Sequence, residues 1–192
     1  MQSICVYCGS STQVDSLFFD TAAELGKIFA ENEIKLIYGG GSVGLMGTIA
    51  DSTLAAGGKA TGIIPRFMYE ENWCHTNLSE LVIVETMHER KQKMVQMADA
   101  LVALPGGCGT MEELFEAITW KQLGLITKPI VIVNVDDYYT PLLKMLTSAA
   151  DKNFMREKHL QMWQVVTSPD EVLPAIANAP EWDSNYRKFA AI

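Results

Sequence analysis

The residues best suited to chemistry in this sequence are Pro105-Gly106-Gly107-Cys108-Gly109-Thr110 and the Met111-Glu112-Glu113 that follow. An apolar run over 101–104 predicts a strand leading into them. Met111, Leu114, Phe115 and Ile118 keep helical spacing after them, which predicts a helix starting at Thr110 and stopping near Gly124. A strand, a turn of bare backbone and a helix N-terminus together make an anion site. The first N–H groups of a helix lack partners, and its dipole favours negative charge. Glycines let a ligand approach the backbone without a Cβ in the way. Gly107, Cys108, Gly109 and Thr110 are therefore the candidate phosphate cradle.

Glu113 has two readings. Thr110-x-x-Glu113 has the form of a capping box, in which the two side chains cap each other's backbone N–H groups. Beside a phosphate turn it is equally a functional carboxylate, and the helix N-terminus is then expected to keep it ionised, as a base or a negative stabiliser. Glu112 reads as a solvated first-turn charge. Arg90 is the other informative residue. It falls on the stripe of Met87, Met94, Met97 and Ala98 in a helix expected over 87–98. An inward arginine needs a partner, because an unpaired buried charge is costly. That partner is either a structural ion pair or an anionic ligand or Glu113 at the strand ends.

These residues need a scaffold, and the rest of the chain predicts one. Strands are expected over 3–8, 34–38, 59–64, 81–85, 101–104, 130–134 and 164–166, with helices over 15–31, 45–56, 87–98, 110–123, 140–150 and from 169. Segment 66–78 reads as an irregular, mobile loop. Strands alternating with helices mean an α/β fold: a Rossmann-like three-layer sandwich, a parallel sheet with helices on both faces. Ligands bind such sheets at the carboxyl ends of the strands. The glycine turns at Gly9, at 39–44 and at 106–109 all fall at those ends. One domain over 1–179 is expected, followed by an appended tail over 180–192.

Other motifs carry less. Gly39-x-Gly41-x-x-Gly44 matches a dinucleotide fingerprint, but it lies on the second strand, and Ile63 and Ile64 stand where the ribose-binding acid belongs. A loop lining a nucleotide pocket is the preferred reading. No P-loop sequence occurs. Cys5 and Cys8 form a C-x-x-C on a strand, where side chains three apart point to opposite faces, so neither a disulfide nor a shared metal is expected. Cys74, Cys108 and the three histidines show no metal-ligand spacing.

Composition bounds the function. The 192 residues carry a net charge of −8 with 48% apolar and 20% charged residues, an ordinary globular composition. An acidic chain gains little from counterion release, which disfavours extended nucleic-acid binding. No apolar run is long enough to span a bilayer and the first residues do not read as a targeting segment, so a cytoplasmic location without membrane contact is expected.

Met87-His88-Glu89-Arg90-Lys91 followed by the 105–113 run resembles the LONELY GUY (LOG) family. Tyr38-Gly39-Gly40, Gly44-Leu45-Met46-Gly47 and Cys8-Gly9-Ser10-Ser11 also fit, and the resemblance reaches to about Ala179. It implies a homodimeric phosphoribohydrolase that splits nucleoside 5′-monophosphates, AMP or its N6-substituted cytokinin forms, into free base and ribose 5-phosphate. It further implies that Arg90 and Glu113 are catalytic. Lys91, Gly107, Cys108, Gly109, Thr110, Met111, Glu112 and Thr119 are implied to contact substrate, with no cofactor and no metal. Phe67 stands where some members carry a glutamate after Pro-Arg, and Glu70 or Glu71 are the candidates to replace it. Nothing in the sequence supports the pyridoxal phosphate site that the label lysine decarboxylase, often given to members, suggests. Two other classes compete: a non-catalytic nucleotide or cofactor carrier on the same fold, and a single-strand-binding module, which wants a basic face with exposed aromatics.

Overall fold

The computed structural model describes residues 1–185. Seven strands form one sheet: β1 (Ser3–Tyr7), β2 (Lys35–Tyr38), β3 (Ala60–Pro65), β4 (Glu80–Val84), β5 (Ala100–Ala103), β6 (Ile130–Val133) and β7 (Gln164–Val166). Every neighbouring pair is parallel, and the spatial order is β4-β3-β2-β1-β5-β6-β7. The chain winds outward from β1 to β4, then returns to the other side of β1. The switch point, where a doubly wound sheet opens its ligand crevice, therefore lies between β1 and β5.

The inner strands bury both faces, while the edge strands β4 and β7 are partly exposed, so the inner side chains divide between two cores. Ile4, Val6 and Cys8 pack against α1 (Ser16–Glu31), α2 (Gly44–Ala55) and α7 (Val172–Ala177). Cys5 and Tyr7 face α4 (Met87–Met97), α5 (Cys108–Gln122) and α6 (Thr140–Asp151). Cys5 and Cys8 thus lie on opposite faces, both as free thiols. The expected α/β sandwich is present, with strand limits within a residue or two of the sequence reading.

Segment 66–78 differs from its expectation. Pro65 ends β3 and leads directly into a short helix, α3 (Arg66–Glu70). Arg66 holds Glu85 with Nε and Nη2 at 3.0 and 2.8 Å, and the His75 N–H donates to the Gly40 carbonyl at 2.9 Å. His75 Nε2 lies 2.9 Å from Asp51 Oδ1. Scattered polar residues gave no periodic signal, yet each of these anchors the segment to its neighbours.

The expected tail begins by returning to the domain. Trp182 is buried in the second core, and its Nε1–H donates to the Lys121 carbonyl at 2.7 Å. The remainder of the tail, residues 186–192, lies outside the described residues. Trp182→Ala leaves a large void and removes one of the two donors to the Lys121 carbonyl, which keeps the Gly124 N–H at 3.0 Å, and is expected to cost about 3 kcal/mol in denaturant unfolding. A change below about 0.5 kcal/mol means that the tail is an ornament.

Candidate active site

The anion turn is built as its residue types require, but it starts earlier than the sequence pattern suggests. Gly107, not Thr110, is the N-cap of α5, and no side chain caps it. Thr110 is buried in the first turn, where a Cβ on Gly106 would stand 2.1 Å from its Oγ1. The capping box at 110–113 is therefore not formed. Such a box does form at α4, where Thr86 Oγ1 accepts from the Glu89 N–H at 3.1 Å and Glu89 Oε2 accepts from the Thr86 N–H. Among the described residues, the N–H groups of Gly107, Cys108, Gly109 and Thr110 show no hydrogen-bond partner. The glycine run at Gly39 to Gly44 behaves differently. The Leu45 and Met46 N–H groups that open α2 already donate to the Gly9 carbonyl at 3.0 and 3.3 Å. The dinucleotide-like motif is closed to an anion by its own neighbour, while the α5 N-terminus stays open.

Freed from capping, Glu113 turns to Arg90. Arg90 Nη1 lies 3.4 Å from Glu113 Oε1, and both side chains are about nine-tenths buried. Arg90 is also held by backbone: Nε donates to the Ile63 carbonyl at 3.1 Å and Nη2 to the Gly39 carbonyl at 3.0 Å. Its guanidinium thus ties the carboxyl ends of β2 and β3 to α5. The rigid fork of donors suits this task, and a lysine has no equivalent. Gly39 is needed here for space: a Cβ there would sit 1.9 Å from Arg90 Nη2. Gly39→Ala is expected to displace the guanidinium from Glu113 and lower turnover at least ~100-fold while the protein stays folded, because small misplacements of positioning groups are costly. Steady-state kinetics beside a circular dichroism melt checks this.

The electrostatics also differ from the sequence expectation. Burial pushes the Glu113 carboxyl up to about 7, against the pull of Arg90. Glu113 lies in the second turn of α5, too deep for the helix N-terminus to hold it ionised, since that field fades within one turn. The group is therefore poised near neutrality, as acid–base catalysis prefers. Lys91, buried beside it, binds Glu112 and reaches Glu116 Oε1 at 3.1 Å. Burial alone would lower the Lys91 pKa, but those carboxylates outweigh it and hold it above the ordinary lysine value. Glu112 is thus an ion-pair partner as well as a half-exposed charge.

Of the expected site residues, the structure joins Arg90 to Glu113 and Lys91 to Glu112. It sets Gly107, Cys108, Gly109, Thr110 and Met111 along the cap and first turn of α5. Thr119 is exposed further along α5, with its carbonyl accepting from the Leu123 N–H, and among the described residues no ion pair joins it to the Arg90–Glu113 pair. Glu70 is exposed on α3, and Phe67 is half exposed. The Gly39 and Ile63 carbonyls and Glu116 were not foreseen. Only Glu116 had a signal, its i,i+4 spacing from Glu112. Among the described residues no group of three or more His, Cys, Asp or Glu could hold a metal ion.

This geometry meets a clear comparison. Residues 46–176 match the family model described as "Possible lysine decarboxylase". The chain is 45% identical over 166 residues to the probable cytokinin riboside 5′-monophosphate phosphoribohydrolase LOGL1 of Oryza sativa subsp. japonica, covering 86% of this chain and 74% of that protein. The chain belongs to the LOG family. It is also 45% identical over 152 residues to the cytokinin riboside 5′-monophosphate phosphoribohydrolase LOG2 of Arabidopsis thaliana, covering 79% of this chain and 71% of the relative. Among solved structures, the molybdenum cofactor carrier protein of Chlamydomonas reinhardtii superposes with a TM-score of 0.71 at 21% identity, covering 93% and 97% of the two chains. At that identity the likeness is one of fold, and it carries no ligand across. In this LOG-family chain the two paired motifs of the sequence, around Arg90 and around Glu113, are the two halves of one buried ion pair.

Proposed function

We propose that this protein hydrolyses the N-glycosidic bond of adenosine 5′-monophosphates, AMP and its N6-substituted cytokinin forms, giving free base and ribose 5-phosphate. The observation that carries this reading is the buried Arg90–Glu113 pair beside an open helix N-terminus. The relatives' phosphoribohydrolase names support it. The 5′-phosphate is received by the Gly107 to Thr110 N–H groups. Cleavage of the C1′–N9 bond builds positive charge on the ribose ring, as in glycoside hydrolysis. Glu113, fixed by Arg90, stabilises that charge in its ionised form and takes a proton from the water that attacks C1′, while the base departs with the C1′–N9 electron pair and takes up one proton, so that water is divided between ribose 5-phosphate and the neutral free base. Arg90 keeps its protons and acts as a hydrogen-bond donor throughout. Lys91, Met111, Glu112 and Thr119 complete the proposed contact set. A homodimer and a cytoplasmic location belong to the same reading; among the described residues no helix is long and apolar enough to cross a membrane.

Chromatography after incubation with AMP and with N6-isopentenyl-AMP tests this. Free base is expected from both, and the ratio of the two rates reports how far the N6 group matters. A carrier on the same fold predicts binding without release. The ion pair speaks against a carrier, which has no use for a carboxyl poised near 7.

A further inference from the structure

The anion turn makes no hydrogen bonds within itself before Met111, so something else must hold its peptide planes. Three consecutive carbonyls are held from outside. The Tyr139 hydroxyl donates to the Leu104 carbonyl at 2.8 Å. The Gly9 N–H donates to the Pro105 carbonyl at 3.0 Å. The Tyr138 hydroxyl donates to the Gly106 carbonyl at 2.6 Å. Two of these donors come from one short segment after β6, which approaches the turn from the strand next to β5.

That segment is built at a cost. Asp136 and Asp137 both have left-handed backbones, with φ of 51° and 55°. They are the only consecutive non-glycine pair of that kind among the described residues, and each such residue is unfavourable. Asn134 holds the loop in place: its Oδ1 accepts from the Tyr139 N–H at 2.7 Å and its Nδ2 donates to Thr140 Oγ1 at 3.1 Å. Thr140 Oγ1 in turn donates to Asp137 Oδ1 at 2.8 Å. Strain this well braced points to a requirement for the conformation it delivers, and that conformation places two adjacent hydroxyls on alternate carbonyls of the turn.

The two tyrosines are not equivalent. Tyr139 is fully buried, so its hydroxyl satisfies a buried carbonyl and serves the fold. Tyr138 is 37% exposed, with its ring edge-on to Phe18, on the wall of a cleft of about 340 Å³ that also includes Ser10, Ser11 and Gly107. A carbonyl this accessible could be satisfied by water, so stability alone does not call for the Tyr138 hydroxyl. In a trans peptide the C=O and the next N–H point in opposite directions. Anchoring the Gly106 carbonyl therefore fixes the direction in which the Gly107 N–H, the first free donor of the cradle, points.

We propose that Tyr138 is a positioning residue for phosphate binding: its hydroxyl, delivered by the strained Asp136–Asp137 turn, sets the orientation of the Gly106–Gly107 peptide so that the α5 N-terminus is preorganised for the 5′-phosphate. The proposal rests on the phosphoribohydrolase reading for the identity of the anion, and on the hydrogen bonds alone for the ordering of the turn.

The test compares wild type with Tyr138→Phe and Tyr139→Phe by three readouts: kinetics with AMP, calorimetric binding of ribose 5-phosphate, and amide NMR of Gly106, Gly107 and Gly109. Tyr138→Phe is expected to raise KM and weaken ribose 5-phosphate about tenfold, leave kcat within about twofold, keep the melting temperature, and shift the three glycine amides. Tyr139→Phe is expected to lower the melting temperature instead. Unchanged KM, ribose 5-phosphate affinity and amide signals in folded Tyr138→Phe overturn the proposal. If wild type neither hydrolyses AMP nor binds ribose 5-phosphate, the reaction reading fails, and the amides decide what remains. Shifted glycine amides then support the ordering of the turn, and unshifted ones overturn that as well.

Discussion

Glu113→Gln is expected to lower turnover of AMP by roughly 10³-fold, within the range typical of losing a positioned acid–base group, while the protein stays folded. The amide keeps the shape of the side chain and still offers a carbonyl oxygen to Arg90 Nη1. It cannot carry the negative charge that faces the ribose, and it cannot accept a proton from water. The same substitution changes the pH dependence of stability in a direction that follows from burial. The folded carboxyl titrates at about 7, against 4.5 for an ordinary glutamate. Between those values the native state holds a proton that the unfolded chain has released. The stability contributed by this group is therefore fully present below about 4.5 and is lost as pH rises through about 7. Glu113→Gln removes that slope, so urea midpoints measured from pH 4.5 to 8 fall less in the variant than in wild type. Identical slopes, or near-normal turnover, contradict a buried and catalytic Glu113.

Arg90→Ala is expected to combine a catalytic with a structural defect. Turnover falls by a factor comparable to that for Glu113→Gln, because the carboxyl loses the group that orients it. Stability falls by about 3 kcal/mol, the usual result of removing one member of a buried, hydrogen-bonded charge pair. The Gly39 and Ile63 carbonyls lose their donor at the same time. Arg90→Lys restores the charge but not the fork, so it is expected to recover part of the stability and little of the rate. The pairing of Arg90→Ala with Glu113→Gln in a double-mutant cycle checks the coupling: the two kinetic effects are strongly non-additive if the residues act as a unit. Additive effects place them in separate roles.

What the sequence shows of this fold is local, and what it hides is non-local. The strands are legible because runs such as Ile130 to Val133 are apolar on both faces, as a covered parallel sheet demands. Arg90 is legible because a charge on an apolar helical stripe has to find a partner. The start of α5 is misread because Thr110-x-x-Glu113 has the local form of a cap. What decides against it is non-local: Arg90, 23 residues earlier, draws the carboxylate inward. The Glu113 pKa follows the same logic, since the sequence places it near a helix N-terminus but does not show that the fold buries it against Arg90. Tyr138 gives no signal at all. Asp136-Asp137-Tyr138-Tyr139 reads as a polar loop, and only the fold brings its hydroxyls to carbonyls 32 and 35 residues away. Trp182 is hidden likewise, in a stretch of tail with no periodicity.

The central claim is that the open α5 N-terminus takes a 5′-phosphate and so delivers the glycosidic bond to Glu113. The most direct measurement is the release of adenine and ribose 5-phosphate from AMP, with adenosine as the matched substrate lacking only the phosphate. Equal amounts of the two products from AMP, and no adenine from adenosine, are the predicted result. Adenine released equally well from adenosine, or AMP bound without release of either product, contradicts the account.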